Sequence, residues 1–146
     1  MSDAQARDEA LRAELLAMAG EDQRVRAELA AEGTLFDGYH PRMAEVHRRH
    51  AHRLAAIMDR VGWPGRRLVG DDGAAAAWLV LQHAIGDPAV MRRGLALLQS
   101  AAPGDVDPAQ VASWRREHKA SIAATAEHWK LSTASVKRYC ATAAVA

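Results

Sequence analysis

Seven histidines stand in a chain of 146 residues that holds a single cysteine, Cys140. They are His40, His47, His50, His52, His83, His118 and His128. Imidazole is the side chain that changes charge near neutral pH and the commonest protein ligand for transition metals. One cysteine allows neither an internal disulfide nor a Cys-rich zinc site, so metal or acid–base chemistry would rest on these histidines. At about 100° per residue, His50 falls mid-way across the apolar stripe of Met43, Val46, Leu54, Ile57 and Val61. His47 falls at the edge of that stripe, and His52 on the charged face with Glu45 and Arg48. The sequence therefore predicts a buried His50, a half-buried His47 and a solvent-facing His52. His83 lies in an apolar stretch over 73–85 and is predicted buried as well.

A buried imidazole must be neutral or paired, because burial disfavours its charged form. Two buried histidines on neighbouring helices, with His47 close by, have the residue types for a metal site or an acid–base pair. The His47-xx-His50 spacing puts both rings on one side of a helix. It lacks the glutamate of the helical metallohydrolase motif, and spacing alone selects none of the carboxylates Glu14, Asp59 or Asp87 as a further ligand. The expectation is that His50 and His83 are structural, each tied to a backbone carbonyl or to Gln82, with no metal or other cofactor. His47, His50 and His83 are the metal-ligating candidates should that fail.

The elements that must position these residues are helical. Alanine makes up about a quarter of the chain and aromatics only 5%, a composition that favours packed helices over sheets. Leu11, Leu15, Leu16, Met18, Val25 and Leu29 mark helix over 4–31, interrupted at Gly20, so the segment reads as two helices or one kinked helix. A loop spans 33–39. Pro41 opens a second helix that ends at Gly62-Trp63-Pro64-Gly65. Residues 66–72 read as a connection pinned by Leu68 and Val69, after which Asp71 or Asp72 caps a helix over 73–85. That helix is apolar all round and is predicted to be central, with the helices over 41–61 and 88–101 against it. Asp87-Pro88 starts the last of these, and Pro103-Gly104 reads as a linker. The predicted fold is an all-α helical bundle over 1–104 followed by a helical unit over 105–146. No apolar run reaches the length of a membrane span, and the polar, acidic start MSDAQARDEA is unlike a signal peptide. The expectation is a cytoplasmic protein with no membrane partner.

Charge divides the chain near residue 112. Residues 1–112 carry 13 Lys/Arg against 16 Asp/Glu, residues 113–146 carry 6 against 2, and all three lysines lie in the second part. Ser121 can cap a short helix with Ile122, Ala126 and Trp129 inward. Lys130 then takes the turn, Leu131 plugs the core, and Ser132 caps a second helix with Val136 and Tyr139 inward. Thr133, Ser135, Lys137 and Arg138 are left outside, as polar and basic groups on a recognition helix are. Residues 113–142 resemble the helix-turn-helix of bacterial transposases and resolvases. That resemblance implies duplex DNA as partner, a homodimer to span two half-sites, and Lys119, Lys130, Thr133, Ser135, Lys137 and Arg138 as contacts.

A second resemblance covers residues 12–112. Leu35-Phe36-Asp37-Gly38-Tyr39-His40-Pro41, Gly62-Trp63-Pro64, Leu68-Val69-Gly70, Ala76-Ala77-Trp78-Leu79, Gln82-His83-Ala84 and Asp87-Pro88 are similar to an uncharacterised family of small bacterial helical proteins. It implies a fold without an activity, and places any site at His40, Gln82, His83 and Asp87.

The sequence thus supports a DNA-binding protein, a helical domain carrying a helix-turn-helix. The alternatives are a small enzyme or ligand- or metal-binding protein built on His50, His83 and His40, and a recombined gene product with neither activity intact.

Overall fold

A computed structural model describes residues 2–102 and 104–107. Its elements are four helices, α1 (Asp3–Glu32), α2 (Pro41–Val61), α3 (Arg66–Gln82) and α4 (Pro88–Ser100), with no strand among the described residues. The all-α bundle expected from the sequence is the fold observed.

Each helix begins and ends where local chemistry dictates. Ser2 Oγ accepts from the Gln5 backbone N–H while Gln5 Oε1 accepts from the Ser2 N–H, a reciprocal capping box at the start of α1. Gly33 ends α1 at φ 76°, a left-handed conformation that glycine adopts without strain. Pro41 and Pro88 take the first turns of α2 and α4, preceded by the caps His40 and Asp87. The side chains of both caps accept a hydrogen bond, from the N–H of Arg42 and of Val90 respectively.

Three boundaries differ from expectation, one of them the end of α3 at Gln82 instead of near residue 85. In the second, α1 is one uninterrupted helix, because Gly20 lies on its exposed side and keeps helical geometry. A Cβ added there would meet nothing within 4 Å. Gly20→Ala is therefore expected to stabilise the fold by about 0.5–1 kcal/mol, since glycine loses more backbone freedom on folding than alanine. Thermal unfolding by circular dichroism should show a Tm raised by a few degrees; an unchanged or lowered Tm would mean that α1 is strained at this point. In the third, residues 66–72 are helical, joined to the rest of α3 across a kink at Gly70 (φ 73°, ψ 175°). Beyond the kink, Asp72 accepts from the Gly73 N–H and pairs with Arg12 of α1 at 2.6 Å.

Asp105 serves the start of α3. Its backbone carbonyl accepts from the Arg66 N–H and its carboxylate from the Arg67 N–H, both at 2.8 Å. Gly65 lies against it so closely that a Cβ would come within 2.6 Å of the Asp105 carboxylate. The bundle's contacts thus extend past the Pro103-Gly104 segment, and Val106 also packs on the core.

The main core joins α1 residues Leu11, Leu15 and Met18 to Leu54, Ile57, Val69, Ala77, Val80, Leu95 and Leu98. Around α3 the buried residues are mostly small, Gly73, Ala74, Ala76 and Ala77, which lets neighbouring helices approach closely. As expected, α2 and α4 contact α3, but the most extensive partner of α3 is α1. A second, smaller core gathers Val25, Leu29, Leu35, Met43 and Val46 at the other end of α1. Along the flank, α1 and α2 run antiparallel and are tied by Glu14–Arg53, Glu21–Arg49 and Glu28–Arg42. Such exposed pairs fix register more than they stabilise. The candidate DNA contacts Lys119, Lys130, Thr133, Ser135, Lys137 and Arg138, together with His118 and His128, lie outside the described residues.

Candidate functional site

Between the two cores the polar groups converge. On α1 the buried positions run Leu11, Leu15, Met18, Asp22, Val25 and Leu29, at alternating spacings of four and three. That is the period of a helix face turned inward, and it carries a carboxylate into the interior: Asp22 is only 2% exposed. On α2, His47 follows Val46 of the small core and precedes Ala51 of the large one, and is 4% exposed. His83 caps the C-terminus of α3, its side chain 25% exposed.

These three side chains meet at one oxygen. His83 Nδ1 lies 2.6 Å from Asp22 Oδ2. His47 Nε2 lies 2.9 Å from the same oxygen. The two imidazole rings are 4.8 Å apart, centre to centre. On its other side His47 Nδ1 lies 2.5 Å from the Tyr39 hydroxyl. A chain Tyr39–His47–Asp22–His83 results, drawn from the 33–39 loop and three helices.

Its electrostatics follow from burial. Burial drives the Asp22 carboxyl upward, but the hydrogen bonds and charges of His47 and His83 outweigh this and hold it below the usual carboxylate range. Burial pushes His47 below its ordinary value against the opposing pull of Asp22, so its imidazole is neutral at neutral pH. Burial, and then the Asp22 charge, raise the Tyr39 phenol, which stays protonated. The two imidazoles thus meet part of the cost of an anion sealed in the interior.

A cavity of about 640 Å³ opens beside this cluster. Its wall includes Tyr39, His47, His83 and Asp87, with Ala44, Arg48 and Ala51 along one face of α2.

The sequence candidates are distributed unevenly about this site. His47 and His83 come together, and Asp87 lines the cavity while capping α4. His50 does not join them. It is buried as expected (3% exposed), but its Nε2 lies 2.7 Å from Glu21 on α1, outside the cavity wall. Glu21 is held down to about 2, chiefly by its hydrogen bond to Arg49. The polar partner expected for His50 is thus a carboxylate and not a backbone carbonyl. His40 is the helix cap already described, and Gln82 ends α3 without reaching the cavity wall. His52 is exposed, as expected. His83 is partly exposed where burial was expected, because α3 ends at Gln82, not Ile85. His47 is buried more deeply than its place at the stripe's edge implies, because Tyr39 and the end of α3 cover it.

Two residues of the cluster escaped the sequence reading. For Asp22 the signal was available: it sits midway between Met18 and Val25 on the stripe, as His50 does on its own. Tyr39 lies in a loop, where periodicity carries no information.

Comparison with known proteins bears on the fold unit alone. The chain belongs to a family of unknown function, DUF6624, whose model matches residues 9–106. That span contains the whole cluster. No curated protein matches the chain. No solved structure matches it.

Proposed function

We propose that the protein is a metal-dependent enzyme in which Asp22, His47 and His83 hold one divalent transition-metal ion beside the cavity. The observation that carries this is the convergence of the three ligand atoms, all within 4.8 Å of one another. Two imidazole nitrogens and one carboxylate oxygen are a donor set suited to zinc, iron or nickel. In a tetrahedral shell with bonds of about 2.0–2.2 Å, ligand atoms stand about 3.3–3.6 Å apart, so small side-chain shifts would open the cluster around an ion. The cation would compensate the buried Asp22 charge. Tyr39 would orient His47, as outer groups commonly orient metal-bound histidines. With Nε2 committed to the metal, the His47 proton sits on Nδ1 and donates to the Tyr39 oxygen. Three protein ligands would leave coordination positions open to a substrate oxygen or water, the chemistry of Lewis-acid sites.

Cobalt(II) tests this in the full chain. Equimolar cobalt should produce visible absorption bands typical of four or five ligands, weakened or shifted in His83→Ala and absent in His47→Ala. His50→Gln should leave them unchanged, because His50 faces Glu21. Equal spectra in all four proteins would overturn the assignment.

A second proposal concerns duplex DNA. It is supported by the helix-turn-helix resemblance of residues 113–142 and their basic charge, and by a homodimer's ability to span two half-sites. Weak, steeply salt-dependent gel shifts are expected, because each phosphate contact releases counterions. Lys137→Glu combined with Arg138→Glu should abolish them. A double variant that binds like the parent would show that the recognition helix is misassigned.

A further inference from the structure

We infer that the cavity takes a substrate with a small oxyanionic group, a carboxylate or phosphoryl oxygen, and that Arg48 is the residue that recognises it. This rests on the metal assignment, which supplies the second positive centre. The cavity wall on α2 follows one helical face: Pro41, Ala44, Glu45, Arg48 and Ala51, the i, i+3, i+4, i+7 spacing of a single stripe. Ala44 and Ala51 leave room on either side of Arg48. The other arginines near it on α2 are engaged by carboxylates of α1: Arg42 by Glu28, Arg49 by Glu21, Arg53 by Glu14. Arg48 has no such ion pair among the described residues, although Glu45 is one turn away. Glu45 is drawn instead to Arg49, at 3.2 Å. Of the acidic groups on the wall, Asp87 accepts from the Val90 N–H and makes no ion pair with Arg48. Arg48 is exposed at the cavity mouth and feels the Glu45 charge without closing an ion pair on it, so its guanidinium is available to match the fork geometry of a carboxylate or phosphoryl group. A divalent ion on Asp22, His47 and His83 would carry net positive charge beside the cavity that His47, His83 and Arg48 line, so an anion there would be attracted by the ion and by Arg48.

Calorimetric titration of the zinc-loaded full chain with methylphosphonate and, separately, acetate tests the inference. Binding of at least one of the two is expected, with acetamide, the neutral control, inert. The stronger of the two anions identifies the phosphoryl or carboxylate source. Arg48→Gln should weaken that anion at least about tenfold, the loss of a charge-assisted bidentate contact, while retaining the parent's zinc affinity. Arg67→Gln, which removes an arginine outside the cavity, should change nothing. Equal anion affinity in the parent and Arg48→Gln, or no anion binding by a chain that holds zinc, would overturn the role of Arg48. Failure of the parent to bind zinc would overturn the metal assignment instead. In that case the same titrations on the metal-free chain decide for Arg48: weakening by Arg48→Gln supports it, and no difference overturns it.

Discussion

Asp22→Ala is expected to remove all of the thermal stabilisation that zinc confers on the full chain. A ligand that binds only the folded state stabilises it by about 2.7 kcal/mol at one hundred times its dissociation constant. For a folded unit near one hundred residues, that corresponds to a Tm rise of roughly 10–20 °C. Asp22 supplies the charged oxygen against which both imidazoles are set; without it, two neutral nitrogens remain and no anion offsets the cation. The parent should therefore melt at progressively higher temperature as zinc is added, while Asp22→Ala melts at one temperature throughout. A zinc-dependent rise of the same size in both proteins would remove Asp22 from the ligand set. In the metal-free proteins the same substitution deletes a buried negative charge along with its hydrogen bonds, two effects of opposite sign. For that reason the zinc-dependent difference is the informative quantity.

Leu54→Ala is expected to cost about 2–5 kcal/mol, because it deletes a fully buried side chain and leaves a cavity among residues that relax only in part. Leu54 is 0% exposed and packs in the main core. Against a total stability of about 5–15 kcal/mol for a typical domain, that is a large fraction. Leu97→Ala, at a partly buried position on the same core, should cost less than half as much. Urea unfolding of the two variants checks both values, with the midpoint falling and the slope unchanged. Equal costs would indicate that α2 does not pack as described.

Much of the framework was legible because it rests on local rules. Pro41 and Asp87-Pro88 mark helix starts through the fixed φ of proline and the acceptor at the cap. Gly33 and Gly62 mark helix ends, both at positive φ. The burial of His50 followed from its own helix's periodicity. What periodicity could not provide was the pairing between elements. Whether His50 or His47 faces His83 depends on how α2 is rotated against the end of α3, and a rotation of less than one residue's angular step exchanges the two. Local pattern also misread residues 66–72 as a connection. The cap that supports this turn is Asp105, 38 residues further along the chain than Arg67, and no local window contains both. Asp22 differs in kind: the stripe of α1 is plain in the sequence, and a carboxylate in its middle is the same anomaly as an imidazole in the middle of α2. The two anomalies mark polar groups enclosed between α1 and α2, although His50 meets Glu21 and not Asp22.

The central claim, one divalent metal held by Asp22, His47 and His83, is tested most directly by calorimetric titration of the metal-free full chain with zinc at neutral pH. The expected result is one ion bound per chain, at least about a hundredfold weaker in His47→Ala and in His83→Ala, each of which loses a ligand, and unchanged in His52→Ala. Absence of a one-to-one transition in the parent, or the same affinity in all four proteins, would contradict it.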